Sequence, residues 1–89
     1  MFQEYLEVLL ALDDGGNNVA EIAEMTGLQQ RDVTRRLESL ERSKFIQRRT
    51  NELYALTKEG RRVLKLGFDE YFKRVLYQKL GADDGNMAA

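Results

Sequence analysis

NVAEIAEMTGLQQRDVTRRLESLER, residues 18–42, is the stretch that decides the fold. Asn18 followed by Glu21 has the spacing of a helix N-cap and its capping-box partner, and it predicts a helix over residues 19–25. Gly27 is suited to the left-handed conformation that closes a helix. We therefore expect a short helix that ends in a tight glycine turn, with another element following directly.

The second half of the stretch carries apolar residues at helical spacing, namely Val33, Leu37 and Leu40, and predicts a helix that ends near Ser43. Two helices joined by a glycine turn are the sequence form of a helix-turn-helix, whose second helix presents its first turns to the major groove of DNA. Side chains expected on the outer face are Gln29, Gln30, Arg31, Thr34, Arg35 and Ser39. Gln pairs well with adenine and Arg with guanine or phosphate, so this stripe suits groove contact.

The sequence before this stretch predicts one more helix. Apolar residues recur at three- and four-residue steps over residues 2–12, at Phe2, Tyr5, Leu6, Leu9 and Leu10. The breaker cluster at residues 13–17, DDGGN, ends that helix.

The sequence after the stretch predicts a hairpin and a long helix. Residues 45–49 and 53–56 have strand character, and the polar residues 50–52 between them form a turn. Thr57 is placed as an N-cap, and apolar residues then recur at helical spacing as far as Gly81. The remaining residues, 82–89, are small and acidic, which predicts a flexible tail.

Two motifs in this order resemble the winged helix-turn-helix regulators of the MarR, ArsR and PadR type. One is the helix-turn-helix stretch, and the other is Tyr54-Ala55-Leu56-Thr57-Lys58-Glu59-Gly60, which looks like the family's second wing strand running into the next helix. The resemblance implies a mainly α fold with a small β-hairpin. It divides the chain into a winged helix-turn-helix core over residues 1–57, a long C-terminal helix over 58–81 for dimerisation, and the tail.

The same resemblance implies where DNA would be met. It places Gln30, Arg31, Thr34 and Arg35 on the recognition helix and Arg48, Arg49 and Asn51 on the wing. With the neighbouring Gln29 and Arg36 of the same helix, these residues form the predicted DNA-binding set. The alternative is that these arginines form an ordinary solvated face, paired in part with the acids of the same helix.

The sequence departs from the family pattern at three places. Gln29 stands where a Ser N-cap is usual, so we expect an irregular start to the helix. Lys44 stands where Gly is common, so the exit of that helix needs another solution. The wing turn at residues 50–52 is shorter than in most MarR-type proteins, which limits its reach into the minor groove.

The charge of the chain is uneven. The net charge is −1, but residues 1–27 hold six acids and no bases, whereas residues 28–49 hold seven bases and three acids. An acidic front and a basic middle are typical of a protein that meets phosphate with one surface only.

Composition excludes several kinds of site. The chain has no Cys and no His, which excludes disulfides, imidazole or thiolate metal sites and Ser-His triads, so we expect neither an enzyme nor a metal or other cofactor. No apolar run approaches the length of a membrane span, so a cytoplasmic protein without membrane contact is expected. The chain also lacks the extra helices of a ligand pocket, and no small-molecule effector is predicted.

The predicted C-terminal helix carries more large apolar side chains than one short partner helix can cover. They predict a homodimer interface at Leu64, Phe68, Tyr71, Phe72, Val75 and Leu76. In a twofold dimer, two recognition helices about 34 Å apart can read two half-sites. The sequence therefore predicts a dimeric, sequence-specific regulator that binds double-stranded DNA. The alternative is a winged-helix module that binds protein within a larger complex.

Overall fold

The computed structural model describes residues 3–76. Its elements in chain order are α1 (Gln3–Asp13), α2 (Val19–Thr26), α3 (Gln30–Arg42), β1 (Ile46–Arg48), β2 (Tyr54–Leu56) and α4 (Lys58–Leu66). A further helix, α5, occupies residues 68–76. The predicted fold class, mainly helical with a small hairpin, is confirmed, while the predicted tail at residues 82–89 lies outside the described residues.

The core lies where the first three helices meet the hairpin and α4. The side chains with the least exposure come from every one of these elements: Val8, Leu9, Ile22, Val33, Leu37, Leu40, Ile46 and Val63. No helix within residues 3–76 has the length and apolar character needed to cross a membrane.

The buried face of α1 differs from the predicted one. Leu9 is buried as expected, but Leu10 is 53% exposed and Val8 is buried in its place. At about 100° per residue, the buried residues Val8, Leu9, Ala11 and Leu12 lie within one half of the helix circumference, and Leu10 lies on the opposite side. The assignment of Leu10 to the apolar face was therefore wrong.

The predicted caps of α2 are confirmed. The Asn18 side chain accepts a hydrogen bond from the backbone N–H of Glu21 at 2.8 Å. Glu21 reaches back one residue further than a capping box requires, because its Oε1 accepts from the N–H of Asn17 at 3.1 Å. Gly27 has a φ of 78° and closes the helix with a bond to the carbonyl of Ala23.

The two ends of α3 are unusual at Gln29 and Lys44, the two positions where the sequence departs from the family pattern. Gln29 is the N-cap, but its side chain makes no capping bond, so the first turn lacks the support that a Ser would give. At the other end Lys44 adopts a φ of 68°, and the N–H groups of Lys44 and Phe45 donate to the carbonyls of Glu41 and Leu40. This is a Schellman closure with Lys in the position that glycine favours.

The hairpin pairs Ile46 with Leu56, Gln47 with Ala55 and Arg48 with Tyr54 in antiparallel register. Its turn is as short as predicted, since the N–H of Arg49 donates to the carbonyl of Leu53 at 2.7 Å. The turn end of the hairpin is tied to the loop before α2, because the N–H of Tyr54, the first residue of β2, donates to the carbonyl of Asn17 at 2.8 Å.

The joint between β2 and α4 explains the Thr57 and Gly60 positions of the second motif. Thr57 Oγ1 accepts from the N–H of Gly60 at 3.1 Å and donates to the carbonyl of Lys44 at 2.7 Å. Gly60 lies so close to Phe45 that a Cβ added to it would stand 2.0 Å from the Phe45 carbonyl oxygen. The start of α4 is therefore fixed against the exit of α3 by a hydroxyl and by the absence of a side chain.

The predicted long C-terminal helix is interrupted. Gly67 has a φ of 84° and a ψ of 156°, a backbone conformation that is open to glycine and strained for other residues, and it separates α4 from α5. The N–H of Tyr71 donates to the Gly67 carbonyl at 2.9 Å, so the same glycine starts the first turn of α5. The continuous helix over residues 58–81 was thus wrong at Gly67, and residues 77–81 lie outside the described part of the chain.

The break lets α5 fold back onto the core. The ring of Phe45 lies edge-on to the rings of Phe68 and Tyr71, at centroid distances of 5.9 and 5.3 Å. Tyr5 of α1 meets Phe68 in the same way at 6.4 Å. Such edge-to-face pairs add to the area that they bury, and they fix the direction of α5 relative to α1 and α3.

Candidate nucleic-acid interface

The outer face of α3 carries the exposed side chains that the sequence predicts, except Ser39, which is partly buried and borders a groove with Tyr5 and Phe68. Exposed residues at its start and along its first turns are Gln29, Gln30, Arg31, Thr34 and Arg35. The opposite face is buried in the core, so the helix is anchored behind this stripe. Arg35 forms no ion pair with any residue between 3 and 76, and Arg31 makes one long hydrogen bond, 3.3 Å, to the Gln29 side chain.

Arg36 belongs to a different surface. Its Nη2 donates to Glu4 Oε1 of α1, and its guanidinium lies over the ring of Tyr5, 5.1 Å from the centroid. Its Nε is buried without a hydrogen-bond partner among the described residues. The inclusion of Arg36 among the DNA-binding residues is therefore corrected: one step along the helix turns this side chain from the solvent stripe toward α1.

The predicted wing residues also differ in their surroundings, since one of them is ion-paired and two are exposed in the turn. Arg48 forms an ion pair with Glu41 at 3.5 Å, and its guanidinium lies over the Tyr54 ring at 5.2 Å. Arg49 and Asn51 are exposed in the turn, and Arg49 has no ion pair with a described residue. An approaching phosphate would meet Arg49 first, whereas Arg48 would first have to exchange the Glu41 carboxylate for the phosphate.

A groove joins the wing to the helix-turn-helix. It brings Gln30 and Asn51 to one surface, and its lining residues are Asn18, Val19, Ala20, Gln30, Asn51, Glu52 and Tyr54. The start of α2 was not among the predicted site residues. A signal for it existed, because the first helix of a helix-turn-helix crosses the DNA backbone.

The six predicted dimer residues do not share one environment. Phe68 and Tyr71 are buried in the chain's own core, and Leu64 and Val75 are partly buried against it. Phe72 and Leu76 are 43% and 58% exposed. The assignment of Phe68 and Tyr71 to an intermolecular surface is corrected, because the break at Gly67 turns them inward.

Tyr71 also links α5 to α4 through its hydroxyl. The hydroxyl donates to Glu59 Oε2 at 2.7 Å, and Arg62 lies over the ring. Burial, followed by the hydrogen bond to the Glu59 carboxylate, raises the pKa of Tyr71 above its ordinary value. The described residues contain no cluster of three acidic side chains placed to hold a metal ion.

Three solved structures have the same fold, and two of them are of transcription regulators. A Pseudomonas aeruginosa protein assigned to the transcriptional regulators superposes with a TM-score of 0.67 at 25% identity, over 96% of this chain and 73% of that one. ZitR of Lactococcus lactis, a zinc-responsive MarR family member, gives 0.59 at 29% identity, over 89% of this chain and 60% of that one. RV1404 of Mycobacterium tuberculosis gives 0.65 at 27% identity, over 83% of this chain and 57% of that one.

The chain thus spans between 57% and 73% of the length of these proteins. The fold also occurs inside an enzyme: the O-methyltransferase NcsB1 of neocarzinostatin biosynthesis gives a TM-score of 0.59 at 28% identity, over 65% of this chain and 19% of that one. No protein-family model and no curated protein matches the chain. The hairpin, the three-helix core and these structures together identify a winged helix-turn-helix chain that is similar to the MarR-type transcription regulators.

Proposed function

We propose that the chain is a DNA-binding transcription regulator that reads double-stranded DNA with α3 in the major groove and the wing on the backbone. The observation that carries the proposal is the exposed stripe of α3, where Arg31 and Arg35 form no ion pair with any of residues 3–76, continued by Arg49 at the wing. Guanidinium groups without carboxylate partners remain available to guanine edges and phosphates.

The regulators that share the fold support this reading, and the charge distribution adds to it. The acids of α1 and α2 lie in a part of the chain that contains no base, whereas residues 28–49, with α3 and the first wing strand, hold seven bases and three acids. Most affinity for DNA that is independent of sequence comes from Lys and Arg on phosphates, so a basic surface can bind although the whole chain is slightly acidic.

The dimer we propose uses the exposed part of α5. Among residues 68–76, Phe72 and Leu76 are the large apolar side chains that are exposed, and Val75 is partly buried. In a twofold arrangement each of these side chains would meet its counterpart or a neighbour of it, which suits a small self-complementary apolar surface. Two copies would then present two α3 helices to a pseudo-palindromic site.

The direct test is to select sequences from a genomic DNA pool with the purified chain and to measure binding at several salt concentrations. We expect an enriched site made of two related half-sites, and an affinity that falls as salt rises, with a log–log slope of about −0.9 for each phosphate neutralised. Binding that does not weaken with salt would contradict the proposal.

Two variants separate the proposed roles. Arg35→Ala should change the preferred base at one position of each half-site and weaken the best sequence by about 10- to 100-fold. Arg49→Ala should weaken all sequences about equally and make the salt slope shallower. If Arg35→Ala left the base preference unchanged, the major-groove role of α3 would be wrong.

The second candidate function is protein binding within a larger assembly. Its motivation is that the same fold covers 19% of the methyltransferase NcsB1, so the fold is not confined to DNA-binding regulators. The molar mass of the chain with and without DNA, measured by light scattering, distinguishes the two functions. A dimer that binds DNA supports transcription regulation, and a monomer that does not bind DNA supports protein binding.

A further inference from the structure

The side of the molecule formed by α1 and α2 has an apolar centre in solvent. Leu10 is 53% and Met25 46% exposed, and the two side chains line one groove between the helices, together with Ala11. Leu10 is also the residue that the periodicity of α1 assigned to the core. An exposed leucine is ordinary alone, but two large apolar side chains that share a groove form a patch.

Carboxylates surround this patch. Glu7 and Asp14 border the groove of Leu10 and Met25, and Glu21 and Glu24 border the adjoining groove on the other side of Met25. Glu7, Asp14 and Glu24 form no ion pair with any residue from 3 to 76. Leu10, Met25 and these four acids are called the acidic-apolar face below.

Gly16 keeps the centre of this face open. A Cβ at Gly16 would stand 2.7 Å from the sulfur of Met25, so a side chain there would displace Met25 from its place between the two grooves. Met is flexible and polarisable, which suits a contact that must adapt to the side chain it receives.

Charge limits what can cover the face. Residues 1–27 contain six acids and no base, so DNA and a second copy of the same face are both repelled. A basic segment with apolar side chains on one side matches both the rim and the centre. A single amphipathic helix has this character, and its width suits a groove between two helices.

We propose that the acidic-apolar face docks a basic amphipathic helix of a partner protein, with an apolar anchor between Leu10 and Met25 and with Lys or Arg against the four carboxylates. The face is formed by residues other than the proposed DNA-contact residues, so the inference does not depend on DNA binding. It gives the chain a second surface for a second partner.

The probe is a synthetic helical peptide of about 14 residues, or four turns, with Leu on one side and Lys on the other. Titrated into the full ¹⁵N-labelled chain, it should shift the amide signals of residues 7–14 and 21–26. Control peptides replace Lys by Glu or Leu by Ser, and neither should bind. Shifts centred on α5 or on the wing, or equal binding of the Leu-to-Ser peptide, would overturn the proposal.

Variants test the two parts of the face. Leu10→Ser with Met25→Ser should weaken peptide binding by about tenfold or more and leave DNA binding unchanged, because both side chains are half exposed. Leu53→Ser is the matched control, since Leu53 is 37% exposed on the wing, and it should leave peptide binding unchanged. Glu7→Gln with Glu24→Gln should weaken binding at low salt and reduce its salt dependence. Unchanged affinity in either double variant would refute the proposal.

Discussion

Residues 54–60 and residues 30–36 carry the two motifs by which the chain resembles winged-helix regulators, and they use their side chains in opposite directions. In the first segment Tyr54 and Leu56 are buried, Thr57 donates a hydrogen bond to the exit of α3, and Gly60 packs closely against it. In the second, Val33 alone is fully buried and most of the other side chains face solvent. Residues 54–60 therefore stabilise the fold, whereas residues 30–36 present most of their side chains to solvent.

Substitutions in the two motifs should therefore differ in whether they change stability or DNA binding. Changes at the inward positions of residues 54–60 should lower the free energy of unfolding, and DNA binding should fall only as folded protein is lost. Changes at the outward positions of residues 30–36 should alter binding with little effect on stability. Arg36 should be the exception among residues 30–36, because its substitution should change stability and not binding.

The largest expected effect is that of Gly60→Ala. Because the added Cβ would meet the carbonyl oxygen of Phe45, the backbone of α4 or of the α3 exit must move, and we expect a loss of about 3 kcal/mol in unfolding free energy. Urea unfolding followed by circular dichroism measures this loss. Arg61→Ala, at the exposed neighbouring position, should stay within about 0.5 kcal/mol of the parent chain. Similar losses in both variants would remove the special role of Gly60.

Thr57→Ala should have the next largest effect. It removes the N-cap of α4 and the hydroxyl bond to the Lys44 carbonyl, so we expect a loss of about 1–2 kcal/mol. The control is Thr50→Ala in the exposed wing turn, which should be nearly silent in the same unfolding experiment. A Thr57→Ser variant should recover most of the loss, because it restores the hydroxyl; if it does not, the bonds are not the cause.

Arg36→Ala tests the exception within the outward motif. The loss of the Glu4 pair and of the contact with the Tyr5 ring should lower the unfolding free energy by about 1 kcal/mol and leave base preference unchanged. Arg35→Ala should do the reverse, changing base preference while stability stays within about 0.5 kcal/mol. Thermal unfolding and anisotropy with labelled DNA read the two properties separately. A base-preference change in Arg36→Ala would place this side chain on the DNA surface after all.

The smallest expected effect is that of a substitution at Lys44. This residue adopts a left-handed conformation, and its carbonyl accepts the hydrogen bond of Thr57. Lys44→Gly should stabilise the chain by about 0.5 kcal/mol, since relief of the positive-φ strain outweighs the entropy that glycine loses on folding. Glu38→Gly in the interior of α3 should have the opposite sign and cost about 1 kcal/mol. A destabilised Lys44→Gly would show that the Lys side chain itself stabilises this turn.

The sequence was sufficient for the elements whose signals are local. The helix ends at Asn18, Gly27 and Thr57 could be predicted, because a capping side chain, or the absence of a side chain in glycine, acts within a few residues. It was insufficient where a distant residue decides. Arg35 and Arg36 are chemically alike in the sequence, and only the approach of Glu4 and Tyr5 from α1 distinguishes them.

The C-terminal half shows the same limit. A glycine within an apolar periodic run is compatible with a continuous helix, so Gly67 did not predict a break. The aromatic side chains of Phe45 and Tyr5 draw α5 back onto the core, and this tertiary packing overrides the local pattern. The surplus of apolar residues that indicated a dimer was thereby reduced to Phe72, Leu76 and the partly buried Val75.

The hydrogen bond from the N–H of Tyr54 to the carbonyl of Asn17 bears on the order in which the molecule assembles. It joins the start of β2, beside the wing turn, to a residue that precedes both α2 and α3 in the chain. Closing so long a loop costs entropy that only the packed helices can offset. We therefore expect the wing to form after the three helices have met. In hydrogen exchange, the amide of Tyr54 should open together with the core, whereas the exposed amides of the wing turn should exchange freely.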